Sequence, residues 1–365
     1  MVDFGKYFLP GPTEVRTEIL DSMVRPVIAH RGEEMEELME RVAPRLRWLF
    51  RTERPVYVST SSATGLMEAA IRNCVPERAL SLVCGAFSGR FHKIALSCGK
   101  DVDRIDVELG KSNEPDQVAD AVAGNSYDAV TVVHSETSTG VVNPIGKIAA
   151  AVREVSPDTQ VLVDCVTSLA AVPVEVDEWK LDFALAGSQK GLALPPGLAF
   201  GVASQRAYDR ALETKGRGLY FDFEAFETAV AKNQTSNTPA VSLLYALDVQ
   251  LQEIEDEGLE ARWARHQSMA ERTWRWVDEM RARHGIELEV LAEVGRRSAS
   301  VTCVVLPDGL SGVEVAGRMK ENGFTIASGY GKLKERTFRI GHMGDHTMGE
   351  LEVLLEVLAS VLVDF

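Results

Sequence analysis

The chain is short of apolar continuity, cysteine, positive charge and the usual nucleotide signature. No segment of its 365 residues approaches the roughly 18 uninterrupted apolar residues of a membrane span, which leaves no candidate transmembrane helix. Its five cysteines (Cys74, Cys84, Cys98, Cys165, Cys303) are an odd number without CxxC spacing. That pattern argues against a disulfide framework and against a zinc site, and suits reduced thiols in the cytoplasm. Basic residues number 39 against 54 acidic ones, a net charge of -15, which disfavours non-specific nucleic-acid binding. Any anionic ligand must therefore be held by local positive groups. The start, "MVDFGKYFLPGPTEV", has neither a basic opening nor a long apolar run, so it does not read as a secretory signal. A GxxxxGK[ST] phosphate loop, internal repeats and low-complexity tracts are also missing.

What is present is ordinary for a globular protein: 45% apolar and 25% charged residues. The length exceeds what one hydrophobic core usually serves, so a large domain plus a smaller one is expected. Seven short β-branched runs recur between amphipathic stretches: "VYVST", "ALSLVC", "DRIDV", "AVTVVH", "VLVDC", "DFALAGS" and "LAFGVAS". They predict an α/β fold with a mostly parallel sheet covered by helices on both faces. From about Pro239 the pattern turns to long charged helices. A second α/β unit follows, with strands "ASVTCVVL", "FTIASGY" and "FRIGHMG" and a closing helix "MGELEVLLEVLASVLVDF". The expected division is an N-terminal segment 1–20 joining the small domain, a large domain 21–254 and a small C-terminal domain 255–365.

In open α/β sheets ligands bind beyond the carboxyl ends of the strands, and each chemical motif falls there. In "TSSATGLMEAAIRN" a strand gives way to a helix at small hydroxyl residues, where free N–H groups and the helix dipole favour a phosphate; an ordinary N-cap fits the same residues. Asp164 ends the buried run "VLVD" and needs a positive partner or a capping role. Thr137, with Ser135 and Ser138, lies on the loop "HSETSTG". Phe87 in "GAFSGRF" could wall a planar ligand or pack in the core. Arg339 in "FRIGHMGD" offers a planar fork for a carboxylate, or a surface ion pair. Lys190 in "AGSQKGLALPPGLAFG" has no acid near it in sequence, and a buried amine there loses its proton readily. Together these are the parts that hold pyridoxal phosphate: a phosphate cradle, an acid, an aromatic wall, a lysine and an arginine for a substrate carboxylate.

From "LPGPTEV" to "FRIGHMGD" the chain resembles the class V aminotransferases of pyridoxal-phosphate fold type I, in the alanine–glyoxylate and serine–pyruvate group. Its most specific pieces are "VDCVTSLA", "GSQKGLALPPGLAF" and "HSETSTG". The resemblance implies that Lys190 forms the Schiff base, Asp164 pairs with the pyridine nitrogen and Phe87 stacks on the ring. It implies further that Ser62, Ala63, Thr64 and Gln189 hold the phosphate, Thr137 contacts the ring hydroxyl region and Arg339 takes the substrate carboxylate. Thr238 corresponds to a threonine reaching the phosphate of the neighbouring subunit, hence a homodimer. Relatives often carry tryptophan where this chain has Phe87, and tyrosine where Thr235 aligns. The implied activity moves an amino group from alanine or serine to glyoxylate or pyruvate. A phosphoserine aminotransferase is the alternative, with His30 and Arg31 as a phosphate clip. A cysteine desulfurase-like lyase is a second, but Cys303 lies in a run that reads as a buried strand. A cofactor-binding regulatory domain is a third, although no DNA-binding segment is attached. Arg90 is expected to start a helix and turn away, which leaves His30 and Arg31 as the remaining candidates for a second cation that a dicarboxylate would need.

Overall fold

The computed structural model describes residues 6–365; residues 1–5 of the expected N-terminal segment lie outside the described residues. All seven predicted runs join one seven-stranded sheet. Its order is Val56–Ser59, Ala199–Ala203, Phe183–Gly187, Gln160–Asp164, Ala129–Val133, Arg78–Val83 and Asp101–Asp106. Ala199–Ala203 runs opposite to both of its neighbours and the remaining pairings are parallel, so the sheet is mixed but mostly parallel.

The strands are apolar on both faces because both faces are covered. Val130, Val132, Val161, Val163, Ala184 and Ala186 point to a core shared with helices Glu33–Phe50, Ile145–Val155 and Val241–Glu257. Their alternates Ala129, Leu162, Phe183 and Leu185 point to a second core with helices Ala63–Cys74 and Phe223–Val230. This period-two division fixes register, since a slip of one residue would exchange the faces.

The charged stretch after Pro239 forms two helices, Val241–Glu257 and Leu259–His284. A four-stranded antiparallel sheet follows, ordered Glu289–Val290, Val301–Val305, Thr337–Gly341 and Ala327–Ser328. Helices Gly312–Glu321 and Met348–Val363 cover it, and Phe8, Met269, Phe338, Ile340 and Leu355 share its core. "FTIASGY" is not the single strand predicted. Phe324–Thr325 pairs with Lys6–Tyr7, whereas Ala327–Ser328 pairs with Phe338 and Arg339, so the chain changes sheets at Ile326. Among the described residues no helix is long and apolar enough to cross a membrane.

Candidate functional site

Six strands of the large sheet end at the same edge, and the loops beyond five of them line a cavity of about 260 Å³. Its lining includes eight of the ten residues singled out in the sequence: Ser62, Ala63, Thr64, Phe87, Thr137, Asp164, Gln189 and Lys190. Arg339 borders it from the other sheet, donating to the Thr137 carbonyl at 3.3 Å. Thr238 is exposed and lies outside the cavity lining.

Lys190 is buried, and its amine donates to the Pro10 carbonyl. Two hydrogen bonds from Thr13 hold its loop against the N-terminal segment: the Thr13 N–H donates to the Gln189 carbonyl at 3.1 Å, and the Thr13 hydroxyl to the Lys190 carbonyl at 3.3 Å. Gly11 makes that approach possible. A Cβ there would sit 2.4 Å from Lys190 Cδ, and its φ of +112° is one that side chains rarely adopt. Burial, reinforced by the Arg339 charge and opposed by Asp164 and Glu136, lowers the Lys190 amine to about 7.

Asp164 caps no helix. One oxygen accepts from the Val166 N–H at 2.7 Å, and burial raises its carboxyl to about 7 despite that bond. Ser62 stands at the N-cap of the Ala63–Cys74 helix but makes no side-chain capping bond, so the first N–H groups face the cavity without that partner. Thr137 and Thr167 share a hydroxyl hydrogen bond of 2.6 Å. Arg339 is 7% exposed, and its described partners are carbonyls: Ser328 at 3.0 and 3.1 Å and Thr137. Among the described residues it forms no surface ion pair of the kind considered for it.

Arg90 does not turn away. The helix begins at Ala86 rather than at Arg90, so Phe87 and Arg90 are three residues apart on one face and both line the cavity. The Arg90 guanidinium lies 4.9 Å from the Phe87 ring centroid and donates to the Tyr330 hydroxyl at 3.2 Å. The expectation that Arg90 turns away is therefore corrected, and Arg90 places a second cation at the cavity wall. His30 and Arg31 are not brought to this cavity. Arg31 donates to the Thr235 carbonyl at 2.7 Å and to Gln234, and lines a separate surface pocket. Cys303 lies fully buried in the strand Val301–Val305, and burial pushes its thiol up to about 11.

Sequence reasoning passed over Glu136, in the middle of the motif it quoted. This carboxylate is fully buried and accepts from the N–H groups of Phe87, Ser88 and Ser138 and from both serine hydroxyls. It anchors the start of the Ala86–Ser97 helix and so aims Phe87. An acid flanked by serines and threonines on a buried loop was the available signal. Gly11 and Tyr330 carried no local signal, because only the fold brings them to Lys190 and Arg339.

Residues 21–334 match the family described as Aminotransferase class-V. An uncharacterized aminotransferase of Methanocaldococcus jannaschii is 38% identical over 95% of this chain and 89% of its own length. A crystal structure titled as an aspartate aminotransferase from Thermus thermophilus superposes with a TM-score of 0.90 at 33% identity, covering 98% of this chain and 99% of that one. An alanine–glyoxylate aminotransferase from Nostoc sp. gives a TM-score of 0.92 at 30% identity, covering 99% and 96%.

Proposed function

The chain belongs to the class V aminotransferases, pyridoxal-phosphate enzymes of fold type I, and from that premise we propose that it moves the amino group of alanine or serine to glyoxylate or pyruvate. The observation that carries the reading is one buried lysine, Lys190, in the field of a buried carboxylate, Asp164, and a buried guanidinium, Arg339, neither of which has an ion-pair partner among the described residues. Pyridoxal phosphate fits these residues. The uncapped helix start at Ser62, Ala63 and Thr64, with Gln189, would hold its phosphate. Asp164, alone at the cavity floor, would pair with the pyridine nitrogen, and Phe87 and Thr137 would contact the ring and its hydroxyl side. When bound, the cofactor supplies an aldehyde carbon that accepts the amino group and a ring that takes up the electron pair left at the substrate α-carbon.

Each protein group then has a separate task. Arg339 binds the α-carboxylate through its two-pronged fork. Lys190, kept near neutrality by burial, takes the α-proton as a free base and returns it on the other side of the transfer. Asp164 holds a proton at the pyridine nitrogen. Thr238, exposed in one chain, reaches a neighbouring copy, and exposed Val24, Val27 and Leu219 add apolar surface suited to a homodimer. Five free thiols agree with a cytoplasmic protein. The division at residues 20 and 254 is retained as part of this reading.

Arg90 favours one competing donor class, since a guanidinium at the cavity wall can hold the distal carboxylate of aspartate. One preparation mixed with alanine, serine, aspartate, glutamate and phosphoserine, followed by the absorbance of the bound cofactor, decides among them. Alanine or serine should give the highest specificity constant. A clear preference for aspartate or phosphoserine overturns the proposed donor.

A further inference from the structure

Two hollows meet at Arg90, and one tyrosine stands against it on the outer side. The inner one, of about 260 Å³, contains Lys190 and Asp164. The outer one, of about 600 Å³, lies between the Ala86–Ser97 helix and residues Gly331–Leu333 and is rimmed by Lys93 and Lys332. Arg90 lines both, whereas Tyr330 lines only the outer one. The Tyr330 ring lies 5.4 Å from Phe87, tilted by 37°, its hydroxyl accepts from Arg90, and the Arg339 guanidinium is 5.7 Å from its centroid. One side chain thus touches the aromatic wall, the spare cation and the arginine assigned to the α-carboxylate. It is 39% exposed, so the ring is not a core residue and its position follows from these contacts.

We propose that Tyr330 determines which donor side chain the site accepts: its ring closes the inner cavity toward the outer basin, and its hydroxyl holds Arg90 back from a distal carboxylate. This rests on the aminotransferase reading above and on Arg339 as the carboxylate site. A substrate fixed at Arg339 directs its side chain past Tyr330. With the ring in place only a methyl or hydroxymethyl group has room. With the ring removed, the side chain extends into a basin more than twice the volume of the inner cavity, lined by Arg90, Lys93 and Leu109.

The test uses the cofactor-loaded enzyme and needs no turnover. Acetate, propionate, butyrate, pentanoate and succinate are titrated by calorimetry into the parent, Tyr330→Ala and Tyr330→Phe. In the parent, affinity should stop rising at propionate. In Tyr330→Ala it should keep rising by about threefold to fourfold for each further methylene. Tyr330→Phe keeps the ring, so its cut-off should stay at propionate, whereas in Tyr330→Ala, where Arg90 is released and the ring is gone, succinate should gain about tenfold over butyrate. The same chain-length cut-off in the parent and in Tyr330→Ala overturns the proposal, as does a cut-off that moves in Tyr330→Phe. Failure of the aminotransferase reading would appear separately, as no transfer from alanine, serine or aspartate to glyoxylate or pyruvate by the same parent preparation.

Discussion

Two aspartates, the buried Asp164 and the partly buried Asp345, show how this fold separates structural charges from chemical ones. Asp345 accepts from Arg262 at 2.8 Å, from Arg16 at 2.9 Å and from Gln250 at 3.1 Å. Burial alone would raise its carboxyl, but the two guanidinium groups outweigh burial and hold it below its ordinary range. Asp164 has one amide N–H and no ion pair, so burial wins and the carboxyl rises to about 7. A paired buried charge is finished. An unpaired one retains a site for a cationic ligand, at an energetic cost that the surrounding fold must sustain. The two regions touch, because Arg262 also donates to the Gly191 carbonyl at 2.8 Å, so the completed network steadies the loop that carries the incomplete one.

The most severe way to break the incomplete region is Lys190→Ala. Loss of the amine removes both the attachment point and the base, and transamination should fall by at least about 10⁴-fold. Far-ultraviolet circular dichroism should be unchanged, and borohydride reduction of the parent should label Lys190; a label on another lysine sinks the assignment. Arg339→Lys replaces a fork with a point charge, which should raise KM for every α-carboxylate substrate by about 10- to 100-fold while the cofactor stays bound.

Breaking the completed region should cost stability instead. Arg262→Ala leaves the largely covered Asp345 carboxylate with fewer partners and Gly191 without its donor, an expected loss of about 3 kcal/mol, read from the urea midpoint. If Arg262→Ala left the midpoint unchanged but abolished activity, the contrast between the regions would be wrong.

The contrast also has a pH signature in the cofactor-free protein. Between about pH 4 and 7 the folded chain binds a proton at Asp164 that the unfolded chain has released, so this residue's contribution to stability falls as pH rises through that window. Between about 7 and 10.5 the unfolded chain binds a proton at Lys190 that the folded chain lacks, so that contribution rises with pH. Asp164→Asn should therefore gain on the parent as pH goes from 5 to 7, in urea unfolding at each pH. A constant difference between the two would show that Asp164 is ionised throughout.

Legibility in the sequence followed locality. Strands and helices of the large sheet were readable because apolar period and breakers lie within a few residues of each other. Lys190, Asp164 and the Ser62 turn were readable because each ends its own strand. Arg90 was misread through a helix start placed four residues late, which rotated its side chain off the Phe87 face. Tyr330 and Gly11 were invisible because their meaning arises from contacts across 240 and 179 residues, respectively. Arg31 was read as a ligand clip, yet its guanidinium is engaged by backbone carbonyls near Thr235, a pairing that no local spacing announces.

The smallest effect expected is that of Cys303→Ala. Cys303 faces Arg339 across the strand pair and is the cysteine nearest the proposed carboxylate site, so a lyase using a thiol would call on it first. Its surroundings argue the reverse. The side chain is fully buried, and burial raises the thiol to about 11, so at pH 7.5 the nucleophilic thiolate is a minute fraction. Removing one sulfur atom from this packed strand should cost about 1 kcal/mol of stability and change kcat by less than about twofold. Iodoacetamide should leave native Cys303 unmodified and label it after unfolding, by peptide mapping. Rapid labelling of the native thiol, or a large loss of activity in Cys303→Ala, would move Cys303 from the finished region of the molecule into the working one.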